Sequence, residues 1–288
     1  YKLYPHLKKI RIIVLICVAI MAIISQLPHD LKIYFIDVGQ GDSVLIEQDG
    51  NYMLIDAGPN SSKELVVKYL KENRVKELEY IIATHNHEDH IGGMATVIRS
   101  FNIKNILASK DIATSKTYEN FVLAASQKNI QFYAPTKGES FMLGDAKIII
   151  LADGSNRSEN TNNNSIVVKV EFGENSFMFT GDAEEEIELE VVSGKIDKKV
   201  DVLKIGHHGS NTSTCRTFLN AVSPKYAVIS VGKNNSYGHP CKSVMQRLRV
   251  NNILVYRTDE SGNIVATSDG KNISFNVQAG SYSYVSAN

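Results

Sequence analysis

Short apolar runs alternating with helical periodicity fill the chain from residue 31 onward. Residues 31–38, 43–48 and 51–56 read as three consecutive strands with turn signals at Gly39-Gln40-Gly41 and Asp49-Gly50, which predicts an opening β-meander. Ser61 and Glu64 have the spacing of a capping box, ahead of a helix carrying Leu65, Val66, Tyr69 and Leu70 on one face. Strands at 80–83, 105–108 and 130–133 then alternate with helices after Gly93 and near 118–128. The second half repeats this style, with strands at 147–151, 166–172, 177–180, 202–205, 226–231 and 253–257 and helices at 183–192, 214–221 and 242–250. Two β-rich halves, each with its own helices, predict an α/β sandwich of two mixed sheets packed face to face with helices outside. The Asn/Ser-rich stretch 154–164 is the best internal loop, and no linker divides 31–288.

The first thirty residues follow another rule. Lys2, Lys8, Lys9 and Arg11 precede an unbroken apolar run over 12–24, the layout of an export signal. Thirteen helical residues rise only about 20 Å, short of the roughly 30 Å hydrocarbon core, so a secretory signal fits slightly better than a stable anchor. Either form keeps the basic flank inside and sends the rest outward, which predicts a protein outside the cell or tethered to the outer face of the cytoplasmic membrane. Any membrane contact would run through this segment alone.

Composition changes the picture mainly by exclusion. The 288 residues are 43% hydrophobic and carry 31 basic against 31 acidic side chains, so the chain buries a core and is neither a basic coat nor an acidic tail. Setting aside residues 1–30, which hold four basic side chains and Asp30, leaves 27 basic against 30 acidic. Indiscriminate duplex binding is thereby disfavoured, and no basic, aromatic-interleaved stripe marks a nucleic-acid track. Cys17, Cys215 and Cys241 lack metal-finger or cluster spacing, and a Cys215 to Cys241 bridge stays open.

Six of the eight histidines fall in three tight places: His85, His87 and His90; His207 and His208; and His239. In Thr84-His85-Asn86-His87-Glu88-Asp89-His90, four ligand-type side chains follow an apolar strand, and extended geometry points 85, 87 and 89 to one side. Imidazoles with a carboxylate are a donor set for zinc or manganese. Asp182, after the strand at 177–180, is either a further ligand or the N-cap of the helix behind it. His207 or His208 follows the strand at 202–205.

This order of motifs resembles the metallo-β-lactamase superfamily, which implies an αβ/βα sandwich with a two-metal site. Narrower segments are similar to the hydrolase domain of the competence protein ComEC: Phe35-Ile36-Asp37-Val38-Gly39-Gln40-Gly41-Asp42-Ser43, Leu54-Ile55-Asp56-Ala57-Gly58, Asn162-Asn163-Asn164-Ser165, Lys204-Ile205-Gly206-His207-His208-Gly209-Ser210 and Tyr237-Gly238-His239-Pro240. The large membrane channel of ComEC has no counterpart in these 288 residues, so the resemblance is to a free-standing exported relative. It implies His85 and His87 on a first metal, Asp89, His90 and His207 on a second, and Asp182 shared. No histidine lies between His90 and His207, and Asn162, Asn164 and Ser165 stand where many members place another histidine.

Two divalent ions, Zn or Mn, would present hydroxide for attack on phosphorus. Asp89, His208 and His239 are the residues expected to act in catalysis, with His239 contacting phosphate or protonating the leaving oxygen. Asp56 would orient a ligating imidazole while Asp37 and Asp42 brace loops. The expected activity is a metal-dependent hydrolase, foremost an extracellular nuclease-like phosphodiesterase acting on single-stranded DNA. A small-molecule or cell-wall phosphodiesterase, such as a phosphorylcholine esterase, and a non-catalytic metal-binding surface protein are the alternatives; β-lactam hydrolysis fits less well, and no protein partner is implied.

Overall fold

The computed structural model describes residues 7, 9–16, 18, 29–155 and 159–284. Of the expected export segment, residues 7, 9–16 and 18 are helical and exposed, residues 29 and 30 are exposed and not helical, and the rest lies outside the described residues. Among the described residues no helix is long and apolar enough to cross a membrane.

In chain order the strands are β1 (Leu31–Phe35), β2 (Val44–Gln48), β3 (Asn51–Ile55), β4 (Glu77–Ala83), β5 (Asn102–Ala108), β6 (Phe132–Tyr133), β7 (Ser140–Leu143), β8 (Ala146–Asp153), β9 (Ile166–Phe172), β10 (Asn175–Phe179), β11 (Val202–Lys204), β12 (Tyr226–Ile229), β13 (Leu254–Arg257), β14 (Ile264–Ser268) and β15 (Ile273–Phe275). They form two mixed sheets, ordered β15-β14-β1-β2-β3-β4-β5-β6 and β13-β12-β11-β10-β9-β8-β7. The meander β1-β2-β3 is antiparallel as expected. β3 to β6 run parallel, and so do β10 to β13.

Strand alternation explains why so many strands are apolar on every residue. Leu31, Ile33 and Phe35 point between the sheets, where they meet Ile148, Ile150, Val168, Phe177 and Phe179 of the second sheet. Tyr34 and Ile36 point the other way, under Val66, Leu70, Met94, Ile98 and Phe121 of the outer helices. On the far side, Ile149, Met178 and Leu203 pack beneath Ile187, Phe218, Val244 and Leu248. Both faces of each sheet are therefore covered, as parallel strands require, and the layers run helix, sheet, sheet, helix. This is the αβ/βα sandwich that the sequence implied.

Several local expectations need correction. The helix Lys63–Glu72 has no side-chain cap, and the 3₁₀ turn Asn60–Ser62 precedes it. The capping box fails because Ser61 lies inside that 3₁₀ turn and the N-cap position falls to Ser62, whose hydroxyl donates to Val38 O at 2.6 Å. β1 ends at Phe35, before Asp37, whose carboxylate accepts from Gly39 N and closes the turn. The short β7 was not anticipated. Cys215 and Cys241 are both free thiols.

The intersheet core is one of three apolar clusters that hold the layers together. Phe35 and Phe179 stack across it with ring centroids 6.2 Å apart. Phe35→Ala is expected to lower the unfolding free energy by about 3–5 kcal/mol, read from urea denaturation with an unchanged slope; a loss below about 1 kcal/mol would contradict this packing.

Candidate metal centre

The parallel strands end together, and the chemistry-bearing residues follow directly. Asp56 comes after β3, His85 to His90 after β4, Asp182 after β10, His207 and His208 after β11, and Ser230 and His239 after β12. Open parallel sheets gather ligands at their carboxyl ends in this way. Asp182 is not a helix cap: the helix Glu185–Ser193 starts three residues later with Glu184 as N-cap. Its backbone N–H donates to Ser165 Oγ at 3.2 Å, which leaves the carboxylate free to face the site.

One oxygen or nitrogen from each of Asp89, His90, Asp182 and His208 lies within 4.8 Å of the others. His90 Nε2 is 3.2 Å from Asp182 Oδ1 and 3.8 Å from Asp89 Oδ2, while His208 Nε2 is 3.1 Å from Asp89 Oδ2 and 3.6 Å from Asp182 Oδ2. The fourth position goes to His208 rather than the expected His207, whose Nε2 stands 3.7 Å from Asp182 Oδ2 with 23% of its side chain exposed. Backbone geometry separates the two. His207 and His208 both adopt left-handed φ, 50° and 53°, and Gly209 follows at 84°, a run that swings neighbouring side chains to different walls. A Cβ on Gly209 would meet Pro240 Cβ at 2.7 Å, so only glycine admits the close approach of the His239-Pro240 turn.

The outer nitrogens decide the tautomers. His208 Nδ1 is 2.9 Å from Ser230 O, a carbonyl that only accepts, so Nδ1 carries the proton. His90 Nδ1 is 2.8 Å from Asp56 Oδ2, which also accepts from Thr84 Oγ1, while Asp56 Oδ1 accepts from Thr84 N. Because the Thr84 hydroxyl proton goes to Asp56, its oxygen accepts from His85 Nδ1 at 3.2 Å. In the neutral rings, all three Nε2 lone pairs therefore face inward, toward carboxylate oxygens that are also acceptors. His90 Nε2 and Asp182 Oδ1 are buried without a hydrogen-bond partner. Acceptors facing acceptors in a buried space call for a cation between them, and the donor set fits a divalent metal.

The electrostatics point the same way. Burial opposes protonation of His208, yet the carboxylates of Asp182, Asp42 and Asp89 overturn it and push its pKa up to about 10. Burial likewise opposes charge on His90, and Asp182, Asp89 and Asp56 raise it well above the ordinary value. Asp182 is held well below the usual carboxylate range: burial works against this, and His90, His208 and His85 outweigh it. Burial keeps His85 neutral, far below its ordinary pKa. The pocket demands positive charge, which a divalent ion supplies with neutral imidazoles.

His85 Nε2 lies 4.0 Å from Asp182 Oδ2 and 3.1 Å from Nδ1 of the exposed His87, so these two approach Asp182 from another side. Asn162 does not face them; its amide donates to Glu184 Oε1 at 3.1 Å, and Asn164 is buried in the same turn. His239 borders the cluster, its ring 5.6 Å from that of His207. Burial and the neighbouring His208 and His207 push its pKa down to about 4, so at neutral pH it is an uncharged hydrogen-bond partner and a poor proton reservoir. Asn235 holds it in place, its amide donating to His239 O and its carbonyl accepting from His239 N.

Behind the cluster lies a residue with no assigned role in the sequence reading. Lys204, 2% exposed, pairs with Asp42, whose other oxygen sits 3.3 Å from His208 Nδ1. A lysine inside the apolar run of β11 is the signal that could have found it. Asp42 is itself seated by Gly41, where a Cβ would lie 2.4 Å from Asp89 O.

A family model described as the metallo-beta-lactamase superfamily matches residues 36–233. The chain belongs to the metallo-beta-lactamase superfamily. Within that superfamily of hydrolases it is similar to ComE operon protein 3 of Bacillus subtilis, 32% identical over 271 residues, covering 86% of this chain and 35% of that protein. Competence protein ComA of Neisseria gonorrhoeae is 33% identical over 229 residues, covering 78% of this chain and 30% of that protein. The chain thus spans about a third of the length of these curated relatives. Among solved structures, the metallo-beta-lactamase fold protein YhfI from Bacillus subtilis superposes over 83% of this chain and all of its own, with a TM-score of 0.55 at 13% identity, a likeness of fold.

The buried Lys204–Asp42 pair supports the centre from behind, and breaking it leaves one charge uncompensated. Lys204→Met in metal-free protein is expected to cost about 3–5 kcal/mol of unfolding free energy, with part recovered when Asp42→Asn is added. Simple additivity of the two losses in a double-mutant cycle would show that the pair is not coupled.

Proposed function

We propose that the protein is a metal-dependent phosphodiesterase that cleaves single-stranded DNA on the outer side of the cytoplasmic membrane. The observation that carries this reading is the set of inward Nε2 lone pairs of His85, His90 and His208 facing the Asp89 and Asp182 carboxylates. Asp89, His90, Asp182 and His208 would hold one divalent ion, and His85 and His87 with Asp182 a second, zinc or manganese. Such ions supply Lewis acidity toward phosphoryl oxygens and lower the pKa of water toward neutrality.

The remaining residues do work that the ions do not. Asp56, Thr84 and the Ser230 carbonyl lock each imidazole in the tautomer that presents Nε2. His207, held by Thr212 Oγ1 at 3.1 Å, and His239, clamped by Asn235, border the centre beside the part-exposed Asp89. An uncharged imidazole at His239 donates a hydrogen bond to a phosphate oxygen without adding a competing charge. The DNA assignment draws on similarity to a relative named for competence, and the outward location on the basic-then-apolar N-terminal layout.

The purified protein with Mn²⁺ or Zn²⁺ is expected to hydrolyse bis(p-nitrophenyl) phosphate and single-stranded DNA. Asp182→Ala and chelator are each expected to lower turnover by a factor on the order of a thousand or more. Cleavage of the small ester without cleavage of DNA would overturn the nuclease assignment. Absence of any turnover in metal-loaded protein would leave a binding protein.

A further inference from the structure

The two helices that leave the metal centre enclose a groove of about 970 Å³ on the outer helical layer. The helix Arg216–Val222 starts just after the turn that carries His207 and His208, and the helix Lys242–Val250 starts three residues after His239. Arg216, Gln246, Arg247 and Arg249 line the groove, with Asn220 and Ser243 beside them. Among the described residues no acidic side chain lines it. The helical spacing of Arg216 and Asn220, and of Ser243 and Gln246, turns these groups to the same recess.

We infer that this groove binds the backbone of a single-stranded nucleic acid and leads it to the metal centre, an inference that rests on the phosphodiesterase reading above. The exposed guanidiniums of Arg216 and Arg249 suit a chain of phosphates, while Arg247 turns inward toward Ser213 O and the buried Glu188 and braces the groove wall. The protein has no net charge overall, so this concentration of basic groups is local. The C-terminal end of Lys242–Val250 carries only about half a negative charge, and the full charges of Arg247 and Arg249 in that turn outweigh it.

Continuity with the centre favours nucleic acid over other polyanions. Arg247 donates to Ser213 O at 3.2 Å, next to Thr212, which holds His207. Cys241 N donates to Gly209 O at 2.8 Å, so both helix starts are tied to the same turn. The face of the Lys242–Val250 helix from Ser243 to Val250 spans roughly 10 Å, a stretch of strand rather than a duplex. Among the described residues no aromatic side chain lines the groove, so binding there is electrostatic and indifferent to base identity, unlike stacking platforms.

The test uses the full chain without metal, in chelator, so that binding is separated from cleavage. Fluorescence anisotropy of labelled oligothymidylate is followed against salt for the wild type and for Arg216→Ala/Arg249→Ala, two exposed positions away from the metal centre. The variant is expected to bind on the order of tenfold more weakly at low salt, with a salt slope reduced by about 1.4 for two lost single-strand phosphate contacts. Its turnover of bis(p-nitrophenyl) phosphate with metal is expected to equal that of the wild type. Equal affinity and slope in the two proteins would overturn the groove, as would displacement of the oligonucleotide by polyglutamate at equal charge concentration. Absence of small-ester turnover in the wild type sinks the phosphodiesterase reading instead, whatever the anisotropy shows.

Discussion

Acceptor facing acceptor is the constraint on which this structure turns. His90 and His208 are fixed from behind so that their free lone pairs meet the carboxylates of Asp89 and Asp182 in a space closed to water on most sides. Without a cation, such an arrangement costs both repulsion and desolvation. Protonated imidazoles relieve it in part, and the upward pull on both histidines measures that need. A divalent ion relieves it fully and leaves the rings neutral.

The rest of the fold can be understood as what holds those groups against their own repulsion. Carboxyl ends of parallel strands bring Asp56, His85, Asp182 and His208 to one rim, and two buried sheet faces make those strand ends rigid. Lys204 and Asp42 form a charged layer behind the histidines, where loss of either would unbalance the other. Left-handed backbone at Asp56, His207 and His208 costs on the order of 1–3 kcal/mol at each position. Those three positions lie in the loops that aim ligands, while Ser223, also left-handed, ends the helix Arg216–Val222.

Much of this was legible in the residues themselves. The sandwich could be read because apolar strands and helices alternate in two halves, and His85 to His90 because the ligands are packed into six positions. The choice between His207 and His208 was not legible, since both follow the same strand and only the left-handed turn assigns them to different walls. The capping box at Ser61 and Glu64 was misleading because a 3₁₀ turn takes up Ser61 and moves the helix start to Ser62, whose hydroxyl goes to Val38 O. Lys204 went unassigned although its place in an apolar strand marked it. The basic groove could not be seen as a stripe at all, because Arg216 lies some thirty residues from Arg247 and Arg249 and only helix packing unites them.

The account stands or falls on where a cation goes. Crystals of the protein grown with Mn²⁺ and measured for anomalous scattering should show a peak within coordination distance of His90 Nε2, His208 Nε2 and the Asp89 and Asp182 carboxylates, lost in Asp182→Asn. A fully occupied structure elsewhere with no peak at that cluster, the two imidazoles remaining hydrogen-bonded to the carboxylates alone, would contradict it.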